Sequence, residues 1–150
     1  MNENSVRLLP AKKSDLGFCA ELLRKEFSKA PYKEKWTPAK AMRAVRLWAR
    51  HPKSAIYVIR MGGQRAGIIF GSEFYSEPEG KGFFVEEFAV AEGKKGQGIG
   101  KKALELLEKD LRKKGFKALT LLSHRKSKAF KFYQKTGFKK SGMEYLRKIL

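Results

Sequence analysis

Lys95-Gly96-Gln97-Gly98-Ile99-Gly100-Lys101 is the stretch on which the reading of this 150-residue chain turns. Just before it, Gly82 to Ala91 is a strongly apolar run with strand character. Just after it, Ile99, Ala103, Leu107 and Leu111 recur at the spacing of an amphipathic helix, and Gly115 stands where a helix terminator belongs. A glycine-rich turn from strand to helix presents bare backbone N–H groups and the positive end of a helix dipole, which suits an anion. Two familiar phosphate loops fail on spacing. A G-x-G-x-x-G fingerprint begun at Gly96 needs glycine where Lys101 stands; a Walker A loop ending at Gly100-Lys101 needs glycine at Lys95 and Ser or Thr at Lys102. The stretch reads either as a cradle for some other phosphate or as a flexible turn whose glycines only start a helix.

Outward from the loop, the chain alternates strand and helix signals. Ser5 to Leu9 reads as a strand ended by Pro10, and Ser14 or Asp15 as the cap of a helix running to about Phe27. Thr37-Pro38 starts a second helix that ends near His51-Pro52. Ser54 to Arg60 and Gln64 to Phe74 read as strands around Met61-Gly62-Gly63. Beyond the loop and its helix, Phe116 to Ser123 reads as a strand and Ser127 to Thr136 as a short helix stopped by Gly137. Phe138 to Leu150 reads as one or two final strands. The order βααβββαβαβ describes a mixed α/β fold in one domain over residues 1–150.

Composition narrows the function classes. A chain with 42% apolar and 12% aromatic residues buries a core despite its net charge of +19. One cysteine excludes a disulfide framework, and His51 and His124 lie too far apart in sequence for a metal-ligand spacing, so no metal is expected. No apolar run approaches the roughly 18 residues of a membrane span, and the N-terminus lacks the apolar core of a secretory signal, so a cytoplasmic protein is expected, with no membrane contact. The charge is uneven. From Lys94 to Lys140 there are 16 Lys and Arg against three acids, whereas from Glu73 to Glu92 six glutamates face only Lys81. The basic stretch admits a nucleic acid, another polyanion or an anionic ligand, and the acidic block is unexpected for a plain nucleic-acid binder.

A strand, a Gly-x-Gly loop and an amphipathic helix, followed by Ala129-x-x-Phe132-Tyr133-x-x-x-Gly137-Phe138, resemble the signature of the GNAT superfamily of acetyl-CoA-dependent N-acetyltransferases. The resemblance is specific from Phe83 to Phe138. Pro31 to Thr37 is similar to a subset of members that includes relatives of aminoglycoside acetyltransferases. It implies a central mixed, mostly antiparallel sheet flanked by helices, with acetyl-CoA in a cleft between the strands near 83–91 and 116–123. Phe88, Ala89 and Val90 would pair with the pantetheine arm, and Lys95, Gly96, Gln97, Gly98, Ile99, Gly100 and Lys101 would hold the pyrophosphate. Tyr133 matches the tyrosine near the thioester sulfur. Lys95 stands where the family has Arg or Gln, and Lys126 where it often has Asn beside the cofactor. A homodimer through the final strands also follows from the resemblance.

Acetyl transfer to an amine sets three chemical requirements. A lysine-like amine titrates near about 10.4, so a base must accept its proton at neutral pH. Glu86 and Glu87 are the candidate bases. As neighbours on one strand they should point to opposite faces, Glu86 with Phe84, Phe88 and Val90, and Glu87 with Val85 and Ala89. Sequence leaves open which one meets the cleft, and an exposed or lysine-paired carboxylate is the plain alternative for each. The oxyanion requires a donor, for which the Val90 N–H is expected. The leaving thiolate requires a proton donor, for which Tyr133 is the candidate, its alternative being an aromatic core residue beside Phe130 and Phe132. Cys19 has no neighbouring histidine and reads as a small buried residue. Trp48 reads as core, while Trp36 and Tyr32 stay open between core and acceptor pocket. The acidic block suits a cationic amine acceptor, small molecule or peptide. The competing reading is a catalytically weak module of the same fold that binds nucleic acid or the ribosome through its basic surface.

Overall fold

A computed structural model of the chain, describing residues 5–76 and 78–150, has a five-stranded mixed sheet with helices on both faces. Glu77, counted above in the acidic block, lies outside the described residues. The strands follow chain order: β1 (Val6–Pro10), β2 (Ser54–Met61), β3 (Gln64–Ser76), β4 (Gly80–Val90) and β5 (Ala118–Leu121). The first four run antiparallel and β5 lies parallel to β4. The helices are α1 (Leu16–Phe27), α2 (Pro38–Arg50), α3 (Ile99–Lys113) and α4 (Lys128–Lys135). Among the described residues, no helix is long and apolar enough to cross a membrane.

The sheet separates two apolar layers. On one face, Cys19, Leu22 and Leu23 of α1 and Ala41 and Val45 of α2 pack on Ile56, Val58, Ile68, Phe70 and Ala89. On the other, Ile99, Ala103, Leu104, Leu107 and Leu111 of α3 pack on Tyr57, Ile69, Phe83 and Val85. The helical periodicity read from sequence is the buried stripe of α3. Asp15, buried, ties the layers together by accepting bonds from Arg60 at 3.0 Å and Arg65 at 2.8 Å. Its carboxylate also turns back to the N–H of Lys12 at 2.8 Å, and it makes no side-chain cap on α1, contrary to its expected capping role. Burial opposes its ionisation, but the Lys12 amide and the two guanidiniums outweigh that and hold it below the usual carboxylate range.

Two further expectations fail. First, Glu86 and Glu87 do not alternate in the expected way, because β4 is bulged between them. Phe70 pairs with Glu87 but Gly71 pairs with Val85, which leaves Glu86 as an extra residue. The bulge resets the faces. Phe88 and Val90 pack with Phe83 and Val85 on the α3 layer, and Ala89 lies in the α1–α2 layer, where the alternation now also puts Glu87. Second, no strand forms beyond Phe138. Met143, Tyr145, Leu146, Ile149 and Leu150 are all exposed, so the alternation read there finds no partner strand among the described residues.

Gly71 makes room opposite the bulge. A Cβ there would lie 2.1 Å from the Phe83 ring and 2.8 Å from the Phe84 carbonyl oxygen, and the Gly71 carbonyl accepts the Trp48 indole N–H at 3.3 Å. Gly71→Ala is expected to lose about 1–3 kcal/mol of stability, read as a lower urea midpoint at unchanged m-value.

Candidate active site

The site begins where the sheet opens. β5 pairs with β4 only over Gly82 to Val85, and β4 continues alone on that side to Val90. Which backbone groups face the gap follows from the ladder. Ala91 donates its N–H to Ala66 of β3 at 2.8 Å, and the register runs back through Val90 opposite Gly67 to Phe88 opposite Ile69. Alternate residues of an antiparallel strand turn their N–H and C=O to opposite sides. Phe88 and Val90 therefore direct their backbone N–H and C=O groups into the gap. The expected oxyanion donor, the Val90 N–H, is one of them.

The glycine loop closes one end of the gap. Gly96 and Gly98 have φ of 76° and 73°, a left-handed backbone that glycine adopts without strain, and a Cβ at either would meet nothing within 4 Å. Gly98 is the N-cap of α3, and no side chain caps that helix end. Gly100 lets α3 start close to the rings beside the gap, since a Cβ there would sit 3.3 Å from both Phe88 and Phe132. Of the loop lysines, Lys95 is turned away. Its ammonium pairs with Glu26 of α1 at 2.8 Å and lies 3.7 Å from Glu92, in a network that includes Lys29. Lys101 is exposed and has no acidic partner among the described residues. Gln97 donates to the Gly93 carbonyl at 3.2 Å, which braces the loop. Lys126 sits in the turn before α4, its N–H on His124 Nδ1 at 3.1 Å and its side chain exposed.

α4 closes the other side. Ser127 caps it, accepting from the Phe130 N–H at 3.2 Å. Tyr133 is only 8% exposed and packs among Phe88, Phe132 and Phe138 with ring centroids 5.4 to 6.1 Å apart. Its hydroxyl has no hydrogen-bond partner among the described residues. Burial, reinforced by the nearby Tyr32 and Glu87, pushes its phenol above the ordinary value, so it stays protonated.

Glu87, though on the α1–α2 side of β4, is the carboxylate near enough to Tyr133 to raise its phenol. Burial, reinforced by Glu34 and Glu86, pushes it up to about 8. Glu86 is exposed, and its partial burial raises it as well. Glu34 and Tyr32 come from the segment between α1 and α2. Tyr32 packs edge-on against Phe27 at 5.0 Å, and the Trp36 indole N–H donates to Glu34. Sequence reasoning left Tyr32 open and passed over Glu34. The available signal was that Glu34 stands two residues from Trp36 in a segment already noted as distinctive. Cys19 is fully buried, and burial pushes its thiol up to about 12, so it offers no nucleophile. Trp48 packs beside Phe70 as expected of core. No group of His, Cys, Asp and Glu suited to a metal ion occurs among the described residues.

Away from this gap, a cavity of about 400 Å³ lies by the start of β4, lined by Lys53, Tyr57, Lys81, Lys114 and Phe116 among others. Glu73 also lines it, but the glycine loop and α4 do not. In the gap, by contrast, an unpaired strand edge leads to an uncapped helix start. That shape fits an extended ligand that bonds like a strand along residues 88–90 and ends in phosphates at residues 96–101.

The model of the acetyltransferase (GNAT) family matches residues 18–138. No curated protein matches the sequence. Among solved structures the chain is similar to a probable acetyltransferase, at 18% identity over 96% of this chain and 98% of that one, with a TM-score of 0.82. It is similar to an aminoglycoside N-acetyltransferase in complex with CoA, at 14% identity over 97% and 95%, with a TM-score of 0.77. It is also similar to a ribosomal-protein-alanine N-acetyltransferase from Brucella melitensis biovar Abortus 2308, at 16% identity over 97% and 100%, with a TM-score of 0.77. At these identities the structural likeness establishes the fold.

Proposed function

The chain belongs to the acetyltransferase (GNAT) family, and from that premise we propose that it moves an acetyl group from acetyl-CoA directly to a primary amine, with Glu87 as base and Tyr133 as proton donor. The observation that carries the reading is the convergence of Glu87 and Tyr133 beside an open strand edge that ends at an uncapped helix start. Acetyl-CoA supplies an activated acetyl thioester when bound. Phe88 and Val90 would bond its pantetheine arm, while the backbone N–H groups of residues 96–101, with Lys101 and Lys126, would face its phosphates.

Each requirement then has a residue. An ordinary glutamate near about 4.3 is about 6 units below an amine near about 10.4 and makes a poor proton acceptor for it. At about 8, Glu87 narrows that gap to about 2 units while leaving about a tenth of it ionised at pH 7. The Val90 N–H, if not engaged by the arm, faces the side on which charge develops on the carbonyl oxygen. Tyr133 donates a hydrogen bond to the departing sulfur. Complete transfer to a thiolate of about 8.5 from a phenol raised above its usual value of about 10 is uphill, so donation rather than full protonation is the stabilising act. Of the glutamate pair, Glu87 is favoured over Glu86, because Glu86 is the exposed bulge residue.

Calorimetric titration with acetyl-CoA, paired with thiol release over a panel of primary amines, tests the reading. Binding below millimolar concentration with amine-dependent thiol release is expected. No heat at millimolar acetyl-CoA would overturn it.

A further inference from the structure

The cavity of about 400 Å³ by the start of β4 takes no part in acetyl transfer as read above, yet its volume falls in the range of small-molecule sites. It lies between the last turn of α3 and the adjoining parts of β2, β3 and β4. None of its lining residues belongs to the open edge at residues 88–90, the glycine loop or α4. Gly115, with φ of 82°, turns the chain at the end of α3. The N–H groups of Lys114, Gly115 and Phe116 bond the carbonyls of Asp110, Arg112 and Leu111, so the chain itself takes up these acceptors at the negative end of the helix.

Two kinds of side chain meet in this cavity. Its floor is aromatic: Tyr57 and Phe83 meet edge-on at 6.5 Å, and Phe83 and Phe116 at 5.8 Å. Its rim is cationic: Lys53, Lys81 and Lys114 line it against one acid, Glu73. Two of the ammoniums are held in position. Lys81 sits 4.2 Å over the Phe116 ring, and Lys114 bonds Asp110 at 2.7 Å while lying 5.8 Å from the Tyr57 ring. Tyr57 donates its hydroxyl to the same Asp110 oxygen at 3.2 Å, which braces that wall. Lys53 and Lys81 have no carboxylate partner among the described residues, although Glu73 lines the same cavity. Ammoniums gathered at one concavity repel each other, and low-dielectric walls focus their field on whatever enters. No arginine is among the lining residues. Lysines act as point charges that suit a phosphate, whereas a flat carboxylate favours the arginine fork.

We propose that this cavity is a second binding site, which takes a small phosphate monoester of an aromatic ring. The phosphate lies among Lys53, Lys81 and Lys114, and the ring rests on the aromatic floor, where edge and face contacts are available. The site shares no residue with the proposed acetyl-transfer machinery, so it stands whether or not the chain transfers acetyl groups.

Calorimetric titration of the full chain with phenyl phosphate, inorganic phosphate and phenol, each in the absence and presence of saturating CoA, tests it. One-to-one binding of phenyl phosphate that CoA leaves unchanged is expected. Inorganic phosphate and phenol should each bind at least about tenfold more weakly, because each lacks either the ring or the charge. Lys81→Gln is expected to weaken phenyl phosphate by about 10- to 100-fold, the scale of one charge-assisted hydrogen bond, and Lys81→Arg to retain most of the binding. Lys81→Gln should melt near wild type, because the ammonium has one ring contact and no ion pair to lose. If that variant unfolds, Lys53→Gln, at an exposed position, reads the same loss. No binding at millimolar phenyl phosphate overturns the proposal. So does binding that CoA displaces, binding that neither lysine variant weakens, or inorganic phosphate that binds as tightly as phenyl phosphate. A chain that fails to bind CoA would overturn the acetyltransferase reading alone, since the lysine variants still locate the phosphate ligand.

Discussion

Tyr133→Phe is expected to lower kcat by about 100-fold or more while leaving the Kd for acetyl-CoA within about twofold. The ring is held by Phe88, Phe132 and Phe138, and all of that packing survives the loss of one oxygen. What disappears is the hydroxyl near Glu87. The same variant is expected to melt near the wild-type temperature, because the hydroxyl it removes holds no hydrogen bond to any described residue. A loss of activity accompanied by a lower melting temperature would point to packing instead of proton donation. Steady-state kinetics, calorimetry and a thermal melt on one preparation separate the two. Because the Tyr133 phenol is raised, its titration should leave no mark on the rate profile below about pH 10.

Glu87→Gln is the second large effect. In the wild-type chain, kcat/KM should rise about tenfold per pH unit on the acid side and bend near pH 8, where Glu87 ionises. Gln cannot accept the amine proton, so at pH 7.5 kcat/KM should fall by about 100-fold or more, and the bend should vanish. Stability should move the other way. The folded value, about 8, lies above the ordinary 4.5, so the folded chain holds this proton over a range in which the unfolded chain has released it. Stability therefore declines as pH rises from about 4.5 to 8 and stays lowered above that. Glu87→Gln removes the decline. It should match wild type in melting temperature near pH 4 and exceed it near pH 9. A bend that persists in the variant would remove Glu87 from the role of base.

Much of the architecture could be read from local pattern. The stripe from Ile99 to Leu111, the loop before it and the short helix carrying Tyr133 are all set by periodicity, glycine placement and the cap Ser127, which neighbouring residues report. What escaped was set by distant partners. The bulge at Glu86 lies opposite Gly71, fifteen residues earlier, where Phe83 leaves no room for a Cβ, so the alternation counted along β4 alone grouped Glu87 with Val85 as well as Ala89, and only Ala89 shares its layer. Glu34 joins the cleft through the path of a non-helical segment, which no period describes. The Lys95 ammonium is drawn to Glu26, 69 residues away, while its loop position remains as expected. The strands expected after Phe138 had the right alternation, but strands also require a neighbour, and none pairs with them among the described residues.

Cys19 has no part in the chemistry, and that has practical value. It is the only cysteine, fully enclosed between α1 and the sheet, and its thiol is held up to about 12. A thiol-reactive chromophore added to a turnover mixture would therefore meet no competing sulfur on the folded protein, and the colour would count product alone. For the same reason, a cysteine introduced at an exposed position would be the single attachment point for a fluorophore or spin label. A pair of such cysteines, one in the Glu34 segment and one in the glycine loop, would let the distance between them be followed during turnover without first removing a native thiol.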